Sequence, residues 1–260
     1  MTRVAIIAAM PGELKPLVRG WQRERSNGVD LWRWSFPDDE GDESEWVAAC
    51  AGAGMDAATR AFAEIERYGP IHGLISTGWA GALNEEFVPG RAYVVSGVVD
   101  ARTGERFPAA GCEEGPQAAE SLPVTGPWLV TSPRVADQAE KRRLEAAYGA
   151  GLAVGLVDME AAGVARLAKM RGIPFYCVKG ISDGYNDQLP DFNRFISANG
   201  QFQLGRFMVS RILRPWQWPA LMRMGENSRE AARSIAESLL DVLDERGRLR
   251  RRNGHPNFKR

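Results

Sequence analysis

GLVDMEAAGVARLAKMRGIPFYCVKGISD, residues 155–183, decides the fold. An apolar run comes first and ends on two acids, Asp158 and Glu160, set around Met159. Residues 160–171 then have helical composition and spacing. A second apolar run, PFYCVKGIS at 174–182, is short enough to be a strand, and Asp183 follows it. Strand, helix and strand in succession imply parallel pairing with the helix packed on the sheet.

The same alternation extends outward. RVAIIAA at 3–9 reads as a buried strand, followed by a Pro-started helix at 11–20. VDLWRWSF (29–36) and EWVAACAG (45–52) read as a hairpin around an acidic turn, and residues 55–68 have helical spacing. IHGLIST (71–77) is the next buried strand, which Gly78 and Gly81 are expected to break. RAYVVSGVVD (91–100) and PWLVTS (127–132) are strands, 101–127 reads as loop, and 136–148 as a polar helix. The predicted fold is a single α/β domain with a mostly parallel sheet flanked by helices over 1–200, and a helical extension with a basic tail over 201–260.

The chain has 260 residues, 44% of them apolar, enough for one sizeable core. Its formal net charge is zero, which gives no electrostatic case for nucleic acid. Residues 201–260 nevertheless carry 13 basic and 6 acidic side chains, a net of +7. Cys50, Cys112 and Cys177 lack paired or metal-ligand spacing and read as small buried hydrophobes, so the protein is expected in the cytoplasm. Two histidines are too few for a His-built metal site, and no cofactor is expected. The apolar run at 4–10 is too short to span a membrane.

In open α/β sheets, sites form beyond the carboxyl ends of strands. Four clusters fall there: AAMPGEL with Glu13, STGWAGAL with Trp79, VDMEAAG with Asp158, Met159 and Glu160, and GISDGYND with Ser182 and Asp183. Each has a plainer reading when taken singly. An acid in a first helical turn, as at 13 or 158, is favoured by the helix dipole, and Ser-Asp-Gly is a common turn.

Taken in order, IIAAMPGEL, STGWAGALNEEFVPGRAYVV and VDMEAAGVARLAKMRGIPFYCVKGISD resemble the purine nucleosidase and nucleoside phosphorylase superfamily, closest to its methylthioadenosine/S-adenosylhomocysteine nucleosidase branch. The resemblance covers roughly 3–100 and 128–187. It implies that Met159 and Glu160 hold the ribose, that Asp183 protonates N7 of the departing purine, with Ser182 beside it at the substrate, and that Glu13 takes a proton from the attacking water. Two carboxylates flanking a cationic, oxocarbenium-like sugar follow the logic of glycoside hydrolysis. The branch usually has Glu where this chain has Asp158, which shortens the reach of that substrate-binding position. Trp79 replaces the usual Ser and either fills the sugar side of the pocket or packs in the core.

The phosphorolytic members use arginines near the first strand and before the central Gly turn, with a Ser in that turn. Here MPGEL and STGWAG contain no Arg, and Glu13 would repel a phosphate, so hydrolysis is preferred. A phosphorylase and a non-catalytic nucleoside-binding protein are the alternatives. Residues 101–150 align poorly with the family, and no base-contacting residue is carried over from them. The tail GRFMVSRILRPWQWPALMRM mixes Arg with aromatic residues and Met, and 206–224 is compatible with peripheral membrane contact or with a helix capping the core. It also resembles the tail of hopanoid-associated members, which implies an adenosyl-lipid (adenosylhopane) substrate. The resemblance further implies a homodimer acting on a small nucleoside and water.

Overall fold

The computed structural model describes residues 1–37, 43–110, 112, 126–149, 152–188, 193–195 and 218–245. The central strand β1 (Thr2–Ala8) lies between two parallel neighbours, β4 (Glu43–Cys50) and β5 (Gly73–Ala82). Its side chains alternate. Ala5 and Ile7 join the core under helices α2 (Met55–Glu66) and α4 (Ala161–Arg171), while Val4, Ile6 and Ala8 join a second core on the other face. Burial on both faces is why this strand reads as a continuous apolar run.

On the β4 side, β2 (Gln22–Ser26) and β3 (Val29–Pro37) add antiparallel strands, and the 29–36/45–52 hairpin is found as expected. Beyond β5 the sheet forks. β11 (Phe175–Asp183) runs parallel to β5 from Leu74 to Gly81 and pairs on its far side with β6 (Ala92–Val94). The last residues of β5 pair with β10 (Val154–Asp158), which leads to β9 (Trp128–Thr131), β7 (Gly97–Asp100) and β8 (Arg106–Pro108). Among the described residues the result is one mixed, eleven-stranded sheet: β4, β1, β5 and β11 are parallel, as are β10, β9 and β7, while the hairpins, the β5–β10 junction and the β6–β11 pair are antiparallel.

Five local expectations are corrected. The strand expected at 91–100 is two, because β6 pairs with β11 and β7 with β9 and β8. Helix α1 is only Pro11–Leu14, because Pro16 has no N–H to continue the ladder. β5 runs through Gly78 and Gly81 because β11 pairs with it throughout. β2 lies in a stretch not assigned as strand, and β8 lies inside the expected loop at 101–127. Residues 201–217 of the expected helical extension, and its basic tail after Glu245, fall outside the described residues.

Helix α3 (Gln138–Tyr148) starts at Asp137, whose side chain accepts from Glu140 N, and packs on β10. Helix α5 (Trp218–Glu245) lies on β11, β6 and α1. Its buried stripe, Ala231, Ala232, Ile235, Ala236 and Leu239, has helical spacing. It sits very close to the sheet: a Cβ on Gly180 of β11 would lie 2.8 Å from Ala231 Cβ. Cys50 and Cys177 are buried reduced thiols, and burial pushes both up to about 12, which leaves them unreactive.

Candidate active site

Glu13, Trp79, the segment Asp158–Glu160, and Ser182 with Asp183 all belong to elements that meet at the carboxyl ends of β1, β5, β10 and β11. Glu13 is 3% exposed, so it is not a solvated surface acid. One carboxylate oxygen accepts from Ala9 N and Met10 N, both at 2.8 Å, and the other from Trp79 N at 2.9 Å. Burial pushes its proton affinity up. The N–H groups of Trp79, Met10 and Ala9 and the charge of Lys179 oppose this, but the net shift is upward.

Gly78 makes this nest possible. Its φ is +119°, and a Cβ there would stand 2.9 Å from the Glu13 carboxyl carbon and from both its oxygens. Gly81 plays the same part for the other acid, since a Cβ would meet Asp183 Oδ2 at 2.9 Å. Both glycines give room to carboxylates inside a continuous strand.

Glu160 occupies the N-cap position of α4 and accepts from Gly54 N, the N-cap of α2, at 2.7 Å. Burial, then repulsion from Asp158, push it up to about 8, against the pull of Lys179. Met159, half-buried, lies between the two acids. Asp158 is fully engaged: Oδ1 accepts from Thr131 Oγ1 at 2.7 Å, and Oδ2 from Ala161 N at 2.9 Å and from Lys179 Nζ at 2.8 Å. These contacts fit the helix-terminal reading of Asp158, which lacks the reach of Glu. Thr131 Oγ1 also accepts from Ala162 N, so it ties β9 to the same helix start.

Lys179 is 1% exposed and donates to Thr77 O as well. Burial pulls its ammonium down, but Asp158, Cys177 and Glu160 outweigh that and the net shift is upward. It is a fixed positive charge beneath three acids. Ser182 Oγ donates to Asp183 Oδ1 at 2.6 Å. Asp183 Oδ2 receives Lys141 Nζ, which also donates to Gly184 O at 2.7 Å. Lys141, from α3, is 1% exposed.

Trp79 is half-buried, and its indole N–H donates to Ser228 O of α5 at 2.9 Å. A Cβ on Gly12 would sit 3.1 Å from the indole edge. Trp79 therefore wedges between α1 and α5 with part of its surface open.

Lys141, Lys179 and Thr131 were missed by sequence reasoning. Lys179 had a signal, a lone charge within an apolar strand. Lys141 had none, because it sits in the charged run AEKRR. Among the described residues no cluster of three His, Cys, Asp or Glu could hold a metal ion. A cavity of about 720 Å³ beside α3, lined by Phe87, Tyr93 and Glu145 among others, contains none of the four acids, so the site is assigned from its chemistry.

The sequence pattern of the Phosphorylase superfamily matches residues 3–203. No curated protein matches the chain in sequence. Among solved structures it is similar to the 5'-methylthioadenosine/S-adenosylhomocysteine nucleosidase of Neisseria meningitidis in complex with methylthio-immucillin-A, at 17% identity and a TM-score of 0.65, over 94% of this chain and 100% of that one. It is also similar to the S-adenosylhomocysteine nucleosidase of Streptococcus pyogenes in complex with 5-methylthiotubericidin (19%, TM-score 0.64, over 94% and 97%). A third similar structure is the futalosine hydrolase of Helicobacter pylori (15%, TM-score 0.64, over 94% and 98%). At such identities the likeness speaks for the fold, which is the expected one.

Proposed function

The chain belongs to the phosphorylase superfamily, and from that membership we propose that it hydrolyses the N-glycosidic bond of a purine nucleoside and releases the free base. The observation that carries this reading is the set of buried carboxylates Glu13, Glu160 and Asp183 gathered at the strand ends. A carboxylate has about four lone-pair sites. Three backbone N–H groups occupy Glu13, which leaves one site for a water, and burial raises its affinity for the proton that water would lose. Glu160 spends one site on Gly54 N and keeps capacity for two ribose hydroxyls, while Met159 offers an apolar face to the sugar. As positive charge develops on C1′, the ionised form of Glu160 becomes favoured. Asp183, oriented by Ser182, is the acid for N7.

Hydrolysis is favoured over phosphorolysis for an electrostatic reason. A phosphate dianion beside C1′ needs cationic partners, and the ammonium groups of Lys179 and Lys141 are already bonded within the protein. The proposed substrate is a 5′-substituted adenosine, as the names of the methylthioadenosine and S-adenosylhomocysteine nucleosidases suggest. An adenosyl-lipid such as adenosylhopane is included through the tail resemblance. Of 206–224 only 218–224 are described, and they open α5 with Met222 67% exposed. Peripheral membrane contact and a homodimer belong to this proposal, and liposome flotation and sedimentation test them.

The deciding assay measures base release from methylthioadenosine, S-adenosylhomocysteine and adenosylhopane, with and without phosphate. Phosphate-independent release is expected. Release only with phosphate makes the protein a phosphorylase, and binding without release makes it a nucleoside-binding protein.

A further inference from the structure

We infer that Lys141 is a positioning residue for the acid step, holding Asp183 in place and keeping the proton that Asp183 passes to the leaving base. The inference rests on the hydrolase reading above and adds a residue that the resemblance does not supply. Lys141 reaches from α3 across to the end of β11, is 1% exposed, and places its ammonium on Asp183 Oδ2 and Gly184 O. Ser182 fixes the other Asp183 oxygen, and Gly81 removes the side chain that would separate the pair.

A lone carboxylic acid keeps its proton only below its own pKa, near 4 for an ordinary Asp, whereas an ammonium keeps one to roughly pH 10. A Lys–Asp pair holds one transferable proton whichever heavy atom carries it. Lys141 can therefore resupply Asp183 as that acid gives its proton to N7. The other charged groups nearby are engaged elsewhere. Glu145, one turn along α3, accepts from Tyr185 OH; Glu140 pairs with Arg134 and Arg143; and Asp187 accepts from Gly184 N. From β5, Gly81 faces the pair and brings no charge.

The step balances as follows. The C1′–N9 bond breaks and its electron pair stays on the purine. N7 takes a proton from Asp183, and Asp183 takes one from Lys141, which is left as a neutral amine. Water adds its oxygen to C1′ and gives a proton to Glu13; exchange with solvent then takes that proton from Glu13 and returns one to Lys141. The sum is nucleoside plus water giving base plus free sugar.

The test compares the pH dependence of kcat and KM for wild type, Lys141→Met and Lys141→Arg on whichever nucleoside wild type cleaves. For Lys141→Met the alkaline limb is expected to move at least about one pH unit toward acid, with kcat at neutral pH down about tenfold or more and KM little changed. Arginine preserves a cation but does not surrender its proton, so Lys141→Arg is expected to fold and bind yet fail to restore kcat. Full restoration by arginine, or an unmoved alkaline limb in Lys141→Met, overturns the inference and leaves the hydrolase reading standing. If Lys141→Met does not fold, Lys141→Arg carries the test alone. If wild type releases no base, the hydrolase reading fails and this inference fails with it.

Discussion

Lys179→Met should destabilise the fold through the charge it abandons. Lys179 and Asp158 form an ion pair at 2.8 Å with side chains 1% and 0% exposed, so removing the lysine leaves a carboxylate buried without its counter-charge. Breaking such a pair from one side costs about 3–5 kcal/mol. Asp158 keeps two donors, Thr131 Oγ1 and Ala161 N, which places the cost near the lower end, about 3 kcal/mol. For a chain of this size each kcal/mol lowers Tm by about 2–4 °C, so the drop should be about 6–12 °C. Circular dichroism melts measure it. The double variant Lys179→Met/Asp158→Asn should be more stable than Lys179→Met alone, since the amide removes the stranded charge. A Tm within about 2 °C of wild type for Lys179→Met, or a double variant less stable than the single one, would refute this electrostatic account.

Gly78→Ala combines a φ of +119° with a Cβ driven into the Glu13 carboxylate; about 1–3 kcal/mol of lost stability and a collapse of kcat are expected, and wild-type turnover in the folded variant would contradict the nest. Glu160→Gln tests a pH effect. The folded carboxyl holds its proton up to about 8 while an unfolded one releases it near 4.5, so across that window the folded state binds more protons and stability falls as pH rises. The glutamine variant lacks this slope: it should gain on wild type between pH 4 and pH 8 in thermal melts while ribose recognition weakens, and a constant difference across pH counts against it. Asp183→Asn should lower base release about 100-fold or more with substrate binding largely kept, measured by single-turnover release and calorimetry; near-wild-type turnover would remove Asp183 from the acid role.

The architecture was legible because buried strands announce themselves as apolar runs. RVAIIAA and PFYCVKGIS are covered on both faces and carried that signal, whereas β2, QRERS, is polar and mostly exposed and did not. Pro11 marked where α1 starts, but its length was set by Pro16. The acids were legible by position: Glu13, Asp158, Glu160 and Asp183 each follow an apolar run. Their partners were not, because Lys141 and Lys179 reach Asp183 and Asp158 only after the chain folds, across 42 and 21 positions of sequence. The glycines were seen and misread. A missing Cβ looks the same in sequence whether it ends a strand or admits a neighbour, and only β11 pairing alongside tells the two apart.

The two glycines also make β5 a ruler. Gly78 abuts Glu13 and Gly81 abuts Asp183, three residues apart on one strand, a separation of about 10 Å at ordinary strand rise. Each acid is thus seated against a fixed point of one backbone, whose spacing neither side-chain repacking nor loop exchange can easily stretch. Evolution or design could change what the surrounding walls admit while this calibration stays constant. A one-residue insertion between 78 and 81 would reset it at once.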